Sequence, residues 1–491
     1  MREKKHAPQP WEAPQDARAK PSLWLWVPFV WLFFVSTRAL STWMSGHAEG
    51  AGAADFTGSP VDLALMGFLM VVGTIGLCLR QKKTRRILAN NKWVVVLFVY
   101  MALSYYWSNF PDITLRRAVR SIGTLIMVLV VLTERSPLEA IRALLRRLYV
   151  IEIPASMIAI KYYRNIGVLY GWDGTEEQWI GLSTDKNSLG QVAMVSGLFW
   201  VWQMFGDWSN KLAKWRWIRL GFDAVFLLMT LWLLRGSPTS HSSTAILAFV
   251  ACSAVLFGLE MVIRRITGQK RRIVLAAMIA STLLAPFVAL ALQSIDASPA
   301  KMVVQATGRD MTFTDRTRLW TDVLNNAEKS PIVGTGFGAF WVGKIGYDMY
   351  PLPNWSEKTP EWRPEQGHNG YVDTFVETGL IGVVLLAIII VRGFVSALRG
   401  LDKNFELASL RVVLLLSIVM NNMTETSFLK GTHALWFLFL LVAMDVPPVK
   451  LKARPKGYEQ LPKAVPEPEV EADTYVQTRS GLRQSQCAEP L

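Results

Sequence analysis

The chain has 491 residues, 51% of them hydrophobic and 11% aromatic, with a mean hydropathy of +0.26, which is too apolar for a soluble protein of this size. Apolar runs recur from end to end, each near the ~20 residues that cross a bilayer. The formal net charge of +14 would suit nucleic acid, but the cations gather in short loops between apolar runs. That is the positive-inside pattern of a polytopic membrane protein, and it argues against a nucleic-acid partner.

In chain order, residues 1–22 read as a disordered cytoplasmic N-terminus and 448–491, rich in Pro, Glu and Lys, as a disordered cytoplasmic tail. Between them twelve spans are predicted, near 23–43, 61–79, 93–107, 117–132, 148–161, 189–205, 220–234, 244–263, 273–293, 371–391, 408–423 and 433–447. Nine thus fall in 23–293 and three in 371–447, separated by one long loop at 294–370. The first run has no small-residue cleavage site and reads as a span that stays. The basic loops "RQKKTRR", "RALLRR", "KLAKWRWIR" and "RRITGQKRR" fall on one side, which makes that side and both termini cytoplasmic. Cys78 and Cys252 lie in apolar runs and Cys487 in the tail, so neither a disulfide framework nor a Cys-rich metal site is readable. The long outer loop holds Trp320, Phe337, Phe340, Trp341 and Trp355 and is predicted to be ordered. Its stretch 317–331 has apolar residues at helical spacing, ended by Pro331 and Gly334.

The outer side carries cations that the positive-inside rule disfavours: Arg38, Arg116, Arg117, Arg120, Lys186, Arg235, Arg309, Arg316 and Arg318. Each alone could snorkel to lipid headgroups. As a set they favour an anionic ligand such as a phosphate or diphosphate, which a guanidinium binds bidentately. The stretch "HNGYVDTFVETGLIG", His368 to Gly382, puts polar groups at the mouth of an apolar run. Asn369 is a good helix N-cap. Asp373 and Glu377 lie one turn apart on one helical face, and the helix N-terminus can help hold a phosphate. Imidazole takes up a proton near neutral pH, so His368 suits a general base for a sugar hydroxyl; the plainer alternative is a capping or interfacial histidine. Gly379 and Gly382 could let another helix approach closely, and read more simply as ordinary packing glycines of a span. "GTGFG" lacks the Lys-Ser/Thr of a phosphate loop and follows a helix, so a nucleotide site is rejected. No His-Glu-x-x-His or Gly-x-Ser-x-Gly occurs, which argues against a protease or an α/β-hydrolase.

Several stretches together resemble one family. His368-Asn369, then Gly379-x-x-Gly382, is similar to the His-Asn…Gly-x-x-Gly signature of the O-antigen ligase and O-antigen polymerase superfamily. "GRDMTFTDRTRLW" and "SPIVGTGFGAFW" resemble elements of its ExoQ-type exopolysaccharide branch. "WSNFPDITLRR", "STDKNSLG" and "STRALSTW" resemble further motifs in the expected order, so that the likeness covers about 30–440. Asp185 stands where the family has His, Asp315 where it has Gly, and Ser243 where it has a cation.

The resemblance implies an all-α polytopic protein of about twelve spans, a GT-C-like glycosyltransferase of the bacterial inner membrane with its active site on the periplasmic face. It implies inverting, metal-independent transfer, with no cofactor, from an undecaprenyl-diphosphate-linked oligosaccharide. It also implies a flippase and a chain-length regulator as pathway partners. Arg309 and Arg316, then Arg38, Arg235 and Lys186, are expected to hold the diphosphate. His368 is expected to deprotonate or orient the acceptor, with Asp373, Glu377 and Asp310 supporting it or binding sugar, and Glu361 or Glu365 as alternatives to His368. Tyr371 and the loop tryptophans offer stacking faces. Polymerisation is favoured, with ligation to a lipid A core or protein as the near rival. A transporter is the more distant one, and no internal repeat supports it.

Overall fold

The computed structural model describes residues 20–45, 59–171, 176–209, 215–266, 268–294, 316–356 and 364–447. Arg309, Asp310, Asp315 and Glu361 lie outside the described residues, as do the two terminal segments 1–19 and 448–491.

The described chain is helical. In order it runs α1 (Trp26–Ser36), α2 (Leu40–Ser45), α3 (Pro60–Leu79), α4 (Gln81–Asn90), α5 (Lys92–Leu103), α6 (Pro111–Leu132), α7 (Pro137–Tyr162), α8 (Lys186–Ser209), α9 (Arg216–Arg235), α10 (Ser243–Met261) and α11 (Gly268–Ser294). The outer segment α12 (Arg316–Ala327), α13 (Gly343–Met349) and α14 (Pro353–Ser356) precedes α15 (Gly370–Gly400), α16 (Phe405–Asn421) and α17 (Ala434–Ala443). Several starts are written in the sequence. Ser59 accepts from Val61 N–H with Pro60 in the first turn, and Ser136 accepts from Glu139 N–H with Pro137 beside it. One small departure from the all-α expectation joins α7 to α8. Strands β1 (Val168–Tyr170) and β2 (Glu177–Trp179) pair antiparallel, Val168 opposite Trp179, and Arg164 ties them by reaching both Tyr170 Oη and Glu177 Oε2 at 2.8 Å.

Among the described residues, four helices are long and apolar enough to cross a membrane: Pro60–Leu79, Arg216–Arg235, Ser243–Arg265 and Gly370–Gly400. Gln81–Asn90 and Lys92–Tyr106, bent by 87°, make a fifth if taken as one span. That is fewer than the twelve predicted. The other apolar runs fold as shorter helices such as Ala434–Ala443, or carry charge, as α6 does at Arg116, Arg117 and Arg120. The qualifying helices are peripheral and turn Phe68, Val71, Leu228 and Val391 outward, as lipid-facing surfaces do. The centre is α8, α16 and α17. Every residue from Ala408 to Asn421 and from Leu435 to Ala443 is buried, because these helices are wrapped in protein rather than lipid.

On the side of the basic loops, Glu134 gathers three elements. It accepts from Ser22 N–H and Oγ–H at 2.9 and 2.6 Å and pairs with Arg80 at 2.6 Å. Burial pushes its carboxyl up, but the Ser22 donors and the Arg80 guanidinium outweigh burial and hold it below the usual carboxylate range. A depressed carboxylate contributes stability that is present above its unfolded pKa and lost as pH falls through the folded one. Glu134→Gln is therefore expected to lower the thermal midpoint at neutral pH and to flatten its fall on acidification. A variant whose midpoint follows the wild-type acid limb would contradict this.

The outer segment builds a second small core from Leu319, Val323, Phe340, Trp341, Tyr350 and Trp355. Within it Asp322 accepts from Trp355 N–H at 3.0 Å. The predicted helix at 317–331 forms as Arg316–Ala327. The loop after it enters a break in α15 at Gly379 (φ 62°, ψ −167°). Carbonyls freed on one side of the break accept from the loop: Thr335 N–H bonds Val376 O and Gly336 N–H bonds Glu377 O, at 2.9 and 3.0 Å. Amides freed on the other side donate to it, Leu380 to Pro331 O at 2.8 Å and Ile381 to Ile332 O at 3.2 Å. Tyr100 Oη donates to Thr378 O at 2.8 Å and to Val333 O at 3.2 Å. Each of these backbone groups at the break thus has a protein partner, the condition under which irregular backbone is tolerated in a membrane protein. This corrects the reading of Gly379 as a packing or helix-approach glycine: it breaks the helix.

Candidate active site

The site forms where the start of α15 meets the loop between α16 and α17. Asn422, buried at the end of α16, shapes that loop. Its Oδ1 accepts from Ser427 and Phe428 N–H at 2.9 and 3.0 Å, and its Nδ2 donates to Ser427 Oγ at 2.7 Å. Gly370 donates its N–H to Asn422 O at 2.9 Å and to Glu425 O at 3.1 Å. A Cβ on Gly370 would lie 2.1 Å from Asn422 Oδ1, so only glycine allows the two segments to meet. Asn369 accepts from Tyr371 and Val372 N–H at 3.0 and 3.2 Å, capping α15, and donates its own N–H to Thr426 Oγ1 at 3.1 Å.

His368 therefore starts a helix and faces the 424–426 loop. Its backbone is left-handed (φ 50°), which is rare outside glycine and clusters at functional sites. Its Nδ1 lies 3.2 Å from Glu425 Oε2. Glu425 is 4% exposed, and its Oε1 accepts from Asn187 Nδ2 at 3.0 Å and from Arg316 Nη2 at 3.1 Å. A carboxylate so placed favours the tautomer with the proton on Nδ1, which leaves Nε2 with the lone pair a base needs.

This pairing corrects the expectation that Asp373 or Glu377 supports His368. Both lie on the face of α15 turned toward the outer segment. Asp373 accepts from Trp341 Nε1 at 3.1 Å and from Gly367 N–H at 3.0 Å. Glu377 accepts from Gly338 N–H at 3.1 Å and pairs with Lys430 at 3.3 Å. His368 itself meets Glu425.

Two cavities adjoin here. A polar chamber of about 250 Å³ is lined by Asn187, Trp341, Glu365, Glu377, Glu425 and Lys430, among others. An apolar cavity of about 580 Å³ is walled by Trp31, Leu32, Met66, Met70, Leu148 and Leu438, among others. They share Arg120, Thr184, Ser188, Gln191, Thr432 and His433. A chain-like apolar ligand with a polar head fits such a pair of spaces.

The remaining predicted cations are dispersed. Arg38 lines the apolar cavity, but its Nε donates to Ser183 O at 3.0 Å and its Nη2 to Ile166 O at 2.6 Å, so much of its fork clips the outer connection in place. Lys186 bonds Glu176 at 2.9 Å and Ser240 Oγ at 2.6 Å; that ammonium and hydroxyl hold the Glu176 carboxyl below the usual range. Arg235 is exposed, with no hydrogen-bond or ion-pair partner among the described residues. Of the four that lie among the described residues, Arg316 alone reaches the His368 group, through Glu425 and Thr424 O. Gly382 is buried, and a Cβ there would meet Thr378 Oγ1 at 1.9 Å. Asp185, where a histidine was expected, caps the start of α8 by accepting from Asn187 and Ser188 N–H at 2.8 and 3.0 Å.

Glu425, Asn187 and Lys430 were missed by the sequence reading. The signal that could have found two of them is ionisable side chains in a short outer loop between two of the most apolar runs, which is costly without a use.

Residues 224–387 match the family described as O-antigen ligase. The stretch includes His368, Asn369 and Gly379 and ends before Glu425. The exopolysaccharide production protein ExoQ of Rhizobium meliloti (strain 1021) is 25% identical over 380 residues, 74% of this chain and 75% of that protein. By these matches the chain is similar, over residues 224–387, to the O-antigen ligase family and, over most of its length, to ExoQ.

Proposed function

We propose that this protein is an inverting membrane glycosyltransferase that polymerises undecaprenyl-diphosphate-linked oligosaccharides into an exopolysaccharide. The observation that carries the reading is the His368–Glu425 pair, whose carboxylate lines a polar chamber that shares its wall with an apolar cavity. The prenyl chain occupies the apolar cavity, the diphosphate lies at the shared wall, and the sugars occupy the polar chamber. The acceptor hydroxyl attacks the anomeric carbon as its proton passes to His368 Nε2. The carbon–oxygen bond to the diphosphate breaks on the opposite face, and its electron pair leaves with the diphosphate. A single displacement inverts the anomeric centre.

Cations around the chamber stabilise the departing charge. Arg316 and Arg309 are assigned to it, with Arg38, Arg235 and Lys186 serving the donor's approach. Glu377 lines the chamber, and it, Asp373 and Asp310 are assigned to the sugar hydroxyls. The transfer is assigned to these residues without a metal. The active site faces the periplasm with both termini in the cytoplasm, and a flippase that delivers the donor and a chain-length regulator work beside it.

The test uses purified protein in nanodiscs with a short lipid-linked repeat from the host. Wild type is expected to give a ladder of repeat multiples that EDTA does not alter. A single transfer to added lipid A core or protein, with no ladder, would make it a ligase. Movement of the lipid carrier across the bilayer with no transfer to any acceptor would overturn the transferase reading.

A further inference from the structure

We propose that Lys430 is a catalytic residue of this transfer: its ammonium seats the donor's diphosphate and neutralises the charge that builds there as the anomeric bond breaks. The inference rests on the transferase reading above. Lys430 lines the polar chamber, and its side chain is 25% exposed. Nζ lies 3.3 Å from Glu377 Oε1, its one hydrogen-bond partner among the described residues. An ammonium has three donors, so two remain for a ligand. Glu377 is itself immobilised: it is buried, and its Oε2 accepts from Gly338 N–H in the loop that fills the α15 break.

The backbone on either side of Lys430 is held in place. Leu429, just before it, is a buried leucine in the left-handed region (φ 61°), a conformation that persists only where the surroundings enforce it. Gly431, just after it, accepts from Thr124 Oγ1 on α6. Lys430 is thus fixed between two anchored residues.

Two neighbouring cations already hold protein groups, beside any part they take at the diphosphate. Arg117 donates to Gly338 O at 2.5 Å and to Trp341 O at 3.1 Å, clipping the outer loop to α6. Arg316 faces Glu425. Arg120 stands at the wall shared with the apolar cavity, and Lys430 is the ammonium on the chamber side of that wall. A compact ammonium suits a diphosphate as a point charge. Glu425 precedes Lys430 by five positions in the same loop, so one short segment sets the partner of the base and the cation at the leaving group. When the carbon–oxygen bond breaks, its electron pair moves onto the diphosphate oxygen, and Lys430 meets that charge while the acceptor's proton goes to His368.

Two measurements test this. Wild-type protein in nanodiscs is treated with formaldehyde and cyanoborohydride, and dimethylation of Lys430 is read by peptide mass spectrometry. Undecaprenyl diphosphate at about ten times its Kd is expected to lower labelling about tenfold by mass action, and undecaprenol is expected to leave it unchanged. Lys430→Gln is expected to lower kcat/KM for the donor about 100-fold, the size of losing one donor to a developing anion, with Lys430→Arg recovering most of it. Labelling that ignores undecaprenyl diphosphate, or a folded Lys430→Gln with wild-type turnover, overturns Lys430 as a diphosphate ligand while leaving the transferase reading intact. If wild type transfers to no acceptor, that reading fails and the proposal falls with it.

Discussion

Glu425→Gln is expected to lower kcat of the transfer about 10²- to 10³-fold, within the range a general base contributes, and to leave KM for donor and acceptor nearly unchanged. Glu425 contacts the ring that takes the proton, 3.2 Å from His368 Nδ1, so its effect belongs to the transition state rather than to binding. It is a positioning residue, and the division between kcat and KM separates that role from a structural one. A glutamine can keep its carbonyl oxygen on Asn187 and Arg316, which share Oε1, or turn it to His368, but its amide then opposes the donor at the other position, so the ring loses its fixed tautomer. His368→Ala is expected to be at least as severe. The double variant should be no worse than His368→Ala, since residues acting as a unit are not additive. Arg316 supplies the control, because it shares Oε1 of the same carboxylate. Arg316→Gln is expected to raise the donor KM. An Arg316→Gln variant that reproduces the kcat loss of Glu425→Gln at unchanged KM would mean that Glu425 acts through Arg316 and not through the base. Full turnover by Glu425→Gln would remove the dyad altogether.

Much of the site's scaffold is legible in the sequence, and the reasons are local. Asn369 before an apolar run reads as a cap because the cap is a matter of three adjacent residues, and the structure shows its Oδ1 accepting from Tyr371 and Val372 N–H. The helix around Trp320 and Val323 reads from its own spacing. What is not legible is which side chain faces which. Asp373 and Glu377 stand one turn apart near His368 in sequence, yet they face Trp341 and Lys430. The residue that meets His368 lies 57 positions downstream. No periodicity encodes that meeting; it follows from the contact of Gly370 with Asn422. The twelve predicted spans are not matched one for one by long apolar helices among the described residues, for a related reason. A hydropathy window reads how apolar a stretch is, not whether lipid or protein surrounds it, and α16 and α17 are enclosed by protein. The loop after Pro331 is likewise apolar and ordered without being a span, because its partner is a broken helix.

That broken helix gives the largest expected effect on folding. Gly379→Ala is expected to prevent accumulation of folded protein, read as loss of the monodisperse peak in detergent and of a cooperative thermal transition. The backbone at Gly379, with φ 62° and ψ −167°, lies in a region that is essentially glycine-only, and a residue with a side chain there costs on the order of 1–3 kcal/mol before any contact is counted. A Cβ would also lie 2.3 Å from Ile332 O and 2.6 Å from Gly334 N, both backbone atoms that cannot rotate away. Relief requires the loop to withdraw, which strands the carbonyls of Val376 and Glu377 and the amides of Leu380 and Ile381. Buried without partners, such groups cost about 1–3 kcal/mol each, comparable in sum to the whole stability of an ordinary domain. Straightening α15 would re-form its own ladder, but it would also expel the 331–338 loop and with it the Gly338 N–H that steadies Glu377 opposite Lys430. The break therefore links the fold to the chamber. A second substitution tests the link without the steric clash: Tyr100→Phe removes the hydroxyl that donates to Thr378 O and Val333 O. Its expected cost is about 1 kcal/mol of stability, seen as a modest fall in the thermal midpoint. A Gly379→Ala protein that folds with a wild-type midpoint would show that the break is dispensable.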